Sequence, residues 1–468
     1  MRIAILAAGA AGMYCGSCLR DTNLAAALAA RGHDVSFVPL YTSVRADESP
    51  VQPAPIFFGG VNVYLRHKVP LFHLVPRTLG RLLDSDAVLG LAGRFAGMTS
   101  AADLGALTVS VLQGATGSQA GELSRLLDFL AKLQPDVVQL PNAFFIGIAE
   151  PIRTRLSIGR PRPPAITCSL TGEDIFLDSL PGDYRVQALG IIRRAVAQVD
   201  AFIASSEYYA ARAAELFAIP GDSISVVWSS VNASDFVPAS HANTQPVVGY
   251  MARICPEKGL DVLAAAVRLV REKHAIPARL RAAGWLGPQN RAWFDSLRRD
   301  AQQWAARTDP RQTAPADSSQ IPLIGSPQAP PAGPRQTPPA DSAEPAFEYL
   351  GEVDRAGKIA MLSSIDVLSV PTRYPEAKGI YVLEALAAGV PVVQPEHGSF
   401  PELIRDTGGG VLVPPNDPAA LADAIAALLR DPARRKSLGR AGRVSVAERY
   451  SHDSMAGKTA EVYRRVVS

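Results

Sequence analysis

The chain reads as an α/β protein of two domains, each a parallel sheet covered by helices. Three observations predict this. Strand-like and helix-like segments alternate through both halves, the pattern of parallel sheets with helical crossovers. At 468 residues and 47% hydrophobic composition, the chain exceeds one core, since single cores rarely grow past about 250 to 300 residues. Polar residues 239–245 separate the strand signals into two sets and mark the linker.

In the first half the strand signals fall at 2–7, 35–39, 137–140, 165–169, 201–204 and 225–227. The opening run from Met1 to Ala10 has one arginine and small residues, as a signal peptide has. It is short and broken by Gly9, and it leads into a βαβ pattern: a loop, a helix over 24–31, Gly32, then Val35 to Val38. Gly59 to Arg66 alternates like a strand after a turn. Helical stretches follow, over about 65–130, with Arg66, Lys68, Arg77, Arg81 and Arg94 among apolar residues. Pro70 and Pro76 interrupt any long amphipathic face, which favours a cleft wall over a helix lying on a membrane. No window offers the roughly 18 uninterrupted apolar residues of a membrane helix.

The second-half strand signals fall at 247–250, 280–283, 347–350, 367–370, 392–394 and 410–413. Ten of the 38 prolines lie from Pro310 to Pro345, and Pro-Arg-Gln-Thr-x-Pro-Ala-Asp-Ser occurs at Pro310 and again at Pro334. Such density suits neither helix nor strand, so about 305–346 reads as a disordered surface insertion outside both cores. Residues 453–466 form an amphipathic helix. The predicted divisions are therefore 1–238, 246–450 and a C-terminal helical segment 451–468.

The net charge of +3 is too small to point to nucleic acid, and no basic run with interleaved aromatics adds to it. Four cysteines argue against a disulfide framework and suit a reducing cytoplasm. Cys15-Gly-Ser-Cys18 resembles a redox or zinc pair, but Cys168 and Cys255 are isolated and zinc needs two more ligands, so no metal is expected. Gly9 to Cys18 follows a strand and precedes a helix. It lacks the Gly-x-Gly start, and no acidic residue follows Phe37-Val38, which disfavours a dehydrogenase.

The most informative stretch runs from Pro375 to Val392, with Glu376 and Glu384 eight apart around Gly379. Leu383, Ala385, Leu386 and Ala388 favour a helix that Gly389 can stop and Pro391 cannot continue. Glu384 then sits on the helix and Glu376 in the preceding loop. The segment Lys378-Gly379-Ile380 can come close to a ligand, with unpartnered backbone N–H groups to meet an anion. A second piece, Gly249 to Asp261, ends a strand in Arg253 and Lys258, two cations able to stabilise a departing diphosphate without a metal.

Together these residues resemble glycosyltransferase family 4, whose Arg-x4-Lys matches Arg253 and Lys258 and whose Glu-x7-Glu matches Glu376 and Glu384. The resemblance implies a GT-B fold, two Rossmann-like domains facing across a cleft, and retention of anomeric configuration. It implies that Arg253 and Lys258 hold the diphosphate of a nucleotide-sugar donor, that Glu376 faces the sugar and that Glu384 accepts the ribose hydroxyls. The helix at 451–468 would cross back to the first domain. Gly12 and Gly16 of the glycine-rich loop would lie near donor phosphate and acceptor. The acceptor would be a saccharide or a lipid-linked hydroxyl, and the protein cytoplasmic, with peripheral contact at the inner face of the membrane as an alternative.

The pattern departs after strand 165–169. Many family members carry His-Gly there, and Thr171 stands in the His position. A hydroxyl can hydrogen-bond a sugar but is no base near neutral pH. This makes Thr171, Glu173 and Asp174 the acceptor-side candidates, with capping of the next helix equally open for the two acids. His397 to Glu402 is similar to the family's Gly-Gly-x-Pro-Glu turn, with Glu402 expected to be structural. Other readings of the donor pocket are a nucleotide-sugar epimerase, a sucrose-synthase-like or phosphorylase enzyme, and a non-catalytic nucleotide-sugar-binding protein.

Overall fold

The computed structural model describes residues 1–9, 16–41, 56–58, 101–236, 245–307 and 345–468, with backbone alone for 101–104 and 305–307. Gly12, Cys15, the segment from Gly59 to Arg66, the linker up to 244 and the proline-rich stretch from 308 to 344 lie outside the described residues.

The first sheet contains β1 (Arg2–Ala7), β2 (Asp34–Pro39), β3 (Val137–Leu140), β4 (Ala165–Leu170), β5 (Ala201–Ala204) and β6 (Ile224–Val226). The second contains β7 (Val247–Met251), β8 (Arg279–Ala283), β9 (Phe347–Tyr349), β10 (Val367–Leu368), β11 (Val392–Pro395) and β12 (Gly410–Val413). Their orders are β2-β1-β3-β4-β5-β6 and β12-β11-β10-β7-β8-β9, and the pairings are parallel throughout. Helices cover both faces, so the inner strands are apolar runs: β3, β4, β5 and β7 are buried along their whole length. The strand expected at 367–370 pairs only over Val367–Leu368, after which the chain leaves the sheet.

In each sheet the chain works outward, returns, and continues on the other side of its first strand. Crevices of this kind, outside the carboxyl ends of the strands, are where parallel α/β sheets bind ligands. In the second sheet the crevice lies between β7 and β10, the strands that lead into Lys258 and Glu376.

The first helix, Gly16–Ala30, begins eight residues before the expected residue 24. Its first turns carry Arg20 and Asp21, which are buried and paired with each other at 3.2 Å, with Arg20 also 3.2 Å from Ser169 Oγ. Cys18 lies inside this helix and is buried, and it is not the loop cysteine the sequence suggests. Of the insertion predicted at about 65–130, the helices Ala101–Leu112 and Ala120–Leu133 are described. Gly105 lies so close to Tyr184 that an added Cβ would be 2.5 Å from its ring, which packs the first of them tightly on helix Gly182–Ala195.

The C-terminal helix, His452–Val467, packs onto the first domain. Met455, Ala456, Ala460, Val462 and Tyr463 complete the core made by Ile3, Ile5, Leu24 and Leu28. Tyr463 is fully buried, and its hydroxyl donates to the Gln139 side chain on β3. Arg31 grips Asp453 with two hydrogen bonds of 2.8 and 2.9 Å, and Ser230 Oγ lies 2.8 Å from His452 Nδ1. The Val231 N–H donates to Tyr450 O at 2.9 Å, tying the crossing between the domains to the start of this helix. Replacing Tyr463 by Ala should lower the unfolding free energy by about 3 kcal/mol or more. Urea denaturation followed by tryptophan fluorescence and circular dichroism measures it, and a loss below about 1 kcal/mol would mean that the helix is not integral to that core.

Candidate active site

At the end of β7 the chain turns through a short 3₁₀ segment, Pro256–Lys258, into Gly259, where φ is +73° and an added Cβ would lie 1.9 Å from Pro371 O. Only glycine allows that approach, which docks the Lys258 turn against the loop after β10. Arg373 reinforces the docking with bonds of 2.9 and 2.6 Å to the Asp261 carboxylate, and its N–H donates to Glu257 O at 2.9 Å. Lys258 Nζ then donates to Glu376 Oε2 at 2.6 Å, with both side chains buried.

The rings of Tyr374 and Tyr381 flank the ammonium, with centroids 4.9 and 5.4 Å from Nζ, and Tyr381 OH donates to Glu376 Oε2 at 3.2 Å. Burial alone pushes the Glu376 carboxyl up. The Lys258 charge and hydrogen bond, joined by Lys378, override it and hold the carboxyl down at about 2. Burial likewise opposes the charge on Lys258, and Glu376 reverses it, so the lysine pKa is raised.

The Glu376 backbone is fixed from behind. Ser399 N–H donates to Glu376 O at 2.7 Å, and Gly398, with φ of +59°, leaves no room for a Cβ, which would lie 2.4 Å from Glu376 N. Burial lowers the pKa of His397, whose Nε2 is 3.0 Å from Thr372 O. Gly379, with φ of +62°, starts helix Ile380–Ala387, which carries the buried Glu384. Glu384 Oε1 accepts from Lys358 Nζ at 2.7 Å, a partner the sequence reading missed because no motif spacing marks it. Lys358 and Arg355 lie one turn apart on helix Arg355–Ser363, and Arg355 pairs with Asp235.

Across the cleft, the N-terminus of helix Gly16–Ala30 faces that of Ile380–Ala387. A Cβ on Gly16 would lie 3.1 Å from Ile380 Cδ1, and Lys378 Nζ donates to Ser17 Oγ at 2.7 Å. The starts of two helices thereby lie side by side with the Lys378 ammonium between them, surroundings of positive electrostatic character. Thr171 is buried, and a Cβ on its neighbour Gly172 would lie 3.3 Å from Ala377 Cβ, so the Thr171 turn faces the Glu376 loop. The Arg253 side chain is exposed and makes no ion pair among the described residues, but its positive charge reaches Tyr374, one of the rings beside Lys258.

Glu173 is buried and bonded within its own domain. Its oxygens accept from the N–H groups of Thr171 at 2.9 and 3.2 Å, Gly172 at 3.0 Å and Ala143 at 3.4 Å, and from Tyr209 OH at 2.7 Å. Five contacts fill a carboxylate, so Glu173 serves its own turn and has little left for an acceptor hydroxyl. Burial raises the Asp174 pKa, against a 3.6 Å approach of Arg212.

Residues 341–445 match the family model of the group 1 glycosyl transferases. Over its full length the chain is similar in structure to the sucrose-phosphate synthase of Thermosynechococcus elongatus, with a TM-score of 0.64 at 16% identity, covering 99% of this chain and 98% of that one. It is also similar to Anabaena HepE in complex with UDP, with a TM-score of 0.62 at 13% identity over 99% and 100% of the two chains. The fold is GT-B.

Among sequences, 122 residues are 42% identical to the phosphatidyl-myo-inositol mannosyltransferase of Mycobacterium leprae, covering 26% of this chain and 32% of that relative. The chain thus spans about a third of the length of the first relatives it matches. A longer likeness, 24% identical over 404 residues, covers 80% of this chain and 93% of a Mycobacterium tuberculosis protein. That protein is the GDP-mannose-dependent alpha-(1-6)-phosphatidylinositol monomannoside mannosyltransferase. In this GT-B chain, Lys258, Glu376, Lys378 and Glu384 all come from the second domain, and Gly16, Ser17 and the Thr171 turn approach that set from the first.

The ion pair has a checkable pH signature. Glu376 has a depressed pKa, so its contribution is complete above the ordinary carboxylate range and is lost as pH falls toward about 2. The raised Lys258 pKa contributes below the ordinary lysine range and is lost at higher pH. Lys258→Met should therefore cost about 3 kcal/mol of stability near neutral pH. Adding Glu376→Gln should restore most of it, because the uncompensated buried charge is then gone. A double-mutant denaturation cycle measures the coupling; simple additivity would deny the pair.

Proposed function

We propose that this chain is a glycosyltransferase that moves a sugar from a nucleoside-diphosphate sugar to a hydroxyl acceptor, in glycan, polysaccharide or glycolipid synthesis. The observation that carries the reading is the buried Lys258–Glu376 pair in the crevice of the second sheet, set beside two facing helix N-termini. The family match over 341–445 and the names of the relatives support it, as does the UDP bound by HepE. The finer assignment is to family 4, with retention of configuration, a cytoplasmic site of action, peripheral contact at the inner face of the membrane being the alternative, and no resident metal.

Chemically, the anomeric C1–O bond to the diphosphate breaks while the acceptor oxygen bonds to C1 from the same face. The acceptor proton passes to the departing diphosphate oxygen, since Thr171 cannot take it. Lys258 spends one N–H on Glu376 and another on the Tyr374 hydroxyl, which leaves one to give the diphosphate, with Arg253 at the rim as the second cation. Glu376 faces the sugar, and its carboxylate charge stabilises the positive character that develops at C1. Glu384, oriented by Lys358, accepts the ribose hydroxyls.

Thermal shifts with UDP-, GDP- and ADP-sugars, each with and without Mg²⁺, test the donor site in wild type and Glu384→Ala. One nucleotide class should stabilise the wild type without requiring Mg²⁺ and should do little for the variant. No shift with any donor would turn the reading toward a protein that does not handle nucleotide-sugars. With the donor in hand, Lys258→Ala should lower turnover on the order of 10²-fold or more, measured as nucleoside diphosphate released. Unchanged turnover would remove the leaving-group role.

A further inference from the structure

Four hydrogen bonds tie the second domain to the corner between β5 and helix Glu207–Phe217 of the first. Ser205 Oγ and Ser206 Oγ donate to the same carbonyl, Ala377 O, at 3.0 and 2.8 Å. The Glu402 carboxylate accepts from the N–H groups of Glu207 at 3.0 Å and Tyr208 at 2.8 Å. Ser206 Oγ also accepts from Tyr209 N–H at 3.1 Å, so it caps its own helix while holding the opposite domain. The first three N–H groups of this helix are thereby satisfied, two of them by a carboxylate from the other domain. A buried carboxylate at the positive end of a helix is well placed electrostatically.

The position of the contact gives it a use. Glu402 lies in the first turn of helix Phe400–Thr407, directly after Ser399, whose N–H holds Glu376 O. The Glu376-Ala377 backbone is thus gripped from its own domain at one carbonyl and from the other domain at the next. Only the docked first domain completes the second grip.

We infer that Glu402 is a positioning residue: by capping helix Glu207–Phe217 it draws Ser205 and Ser206 onto Ala377 O, and so sets Glu376 only when the cleft is closed. This rests on the reading of Glu376 as the carboxylate that faces the donor sugar. Cleft opening would cost these bonds together, which makes the contact a clasp on the Glu376 loop and not a general surface attraction.

The test uses the full chain and Glu402→Gln, which keeps the size of the side chain but offers one acceptor oxygen in place of two. Closure is read by small-angle scattering and by a dye-pair distance between the domains, with UDP and GDP as probes. The variant should populate the open form more, and kcat should fall about five- to tenfold. Calorimetric affinity for the nucleoside diphosphate should change less than about threefold, because the clasp does not touch it. Ser205→Ala with Ser206→Ala in the Glu402→Gln background should add little further loss, since one clasp is broken once. A folded Glu402→Gln protein with wild-type closure and kcat would overturn the inference, as would serine and glutamate losses that simply multiply. A lowered melting temperature with kcat intact would do the same and reduce Glu402 to a stabilising contact. If no donor is turned over by wild type, the functional reading fails, while the distance measurement still decides whether Glu402 holds the domains together.

Discussion

A lysine and a carboxylate buried side by side persist only if both remain charged, and Lys258 and Glu376 meet that condition at 2.6 Å. Neither could be placed by its own element alone. Lys258 depends on Gly259 to pass beneath Pro371, and on Arg373 and Asp261 to lock that passage. Glu376 depends on Gly398 and Ser399 behind it. Desolvation makes each charge costly when single, so the loops that deliver them are bound to arrive together. The tight backbone approaches on either side of the pair follow from that one electrostatic requirement.

Much of this fold was legible in the sequence because parallel strands buried on both faces are continuous apolar runs. Val247-Val248 and Val392-Val393 admit few other readings. Where local chemistry was less decisive the reading slipped. Arg20 and Asp21 read as solvated loop residues, which starts the helix that holds them too late; what buries them is a tertiary contact, Arg20 with Ser169 Oγ on β4, that no local spacing marks. The strand after Ile365 was read as too long because apolar Val370 fills the core without joining the ladder.

At the site, spacing made Glu376, Glu384 and Lys258 visible, since the glutamates flank a glycine at the start of a helix. It could not show that Lys358 faces Glu384, because that contact joins two helices with no fixed interval between them. Nor could it show that Glu173 turns back on the N–H groups of its own loop. The acceptor side is correspondingly defined by close approach. Gly172 and Ala377 meet where a Cβ on the glycine would lie 3.3 Å from that of the alanine, so the absence of a side chain at 172 lets the two loops approach closely.

The C-terminal helix carries a consequence for how the molecule is made. Ile3, Ile5, Leu24 and Leu28 find part of their packing in Met455, Ala460 and Tyr463, residues synthesised more than four hundred positions later. Domains of a nascent chain ordinarily fold in the order in which they emerge. Here the second domain can bury its own apolar residues before the first has all of its partners. Until then the part of that face which helix Gly16–Ala30 leaves open has apolar surface uncovered, and transiently exposed apolar surface of this kind is prone to aggregate. Completion of the earlier domain is therefore a late event, reached when helix His452–Val467 leaves the ribosome and reaches back across the molecule.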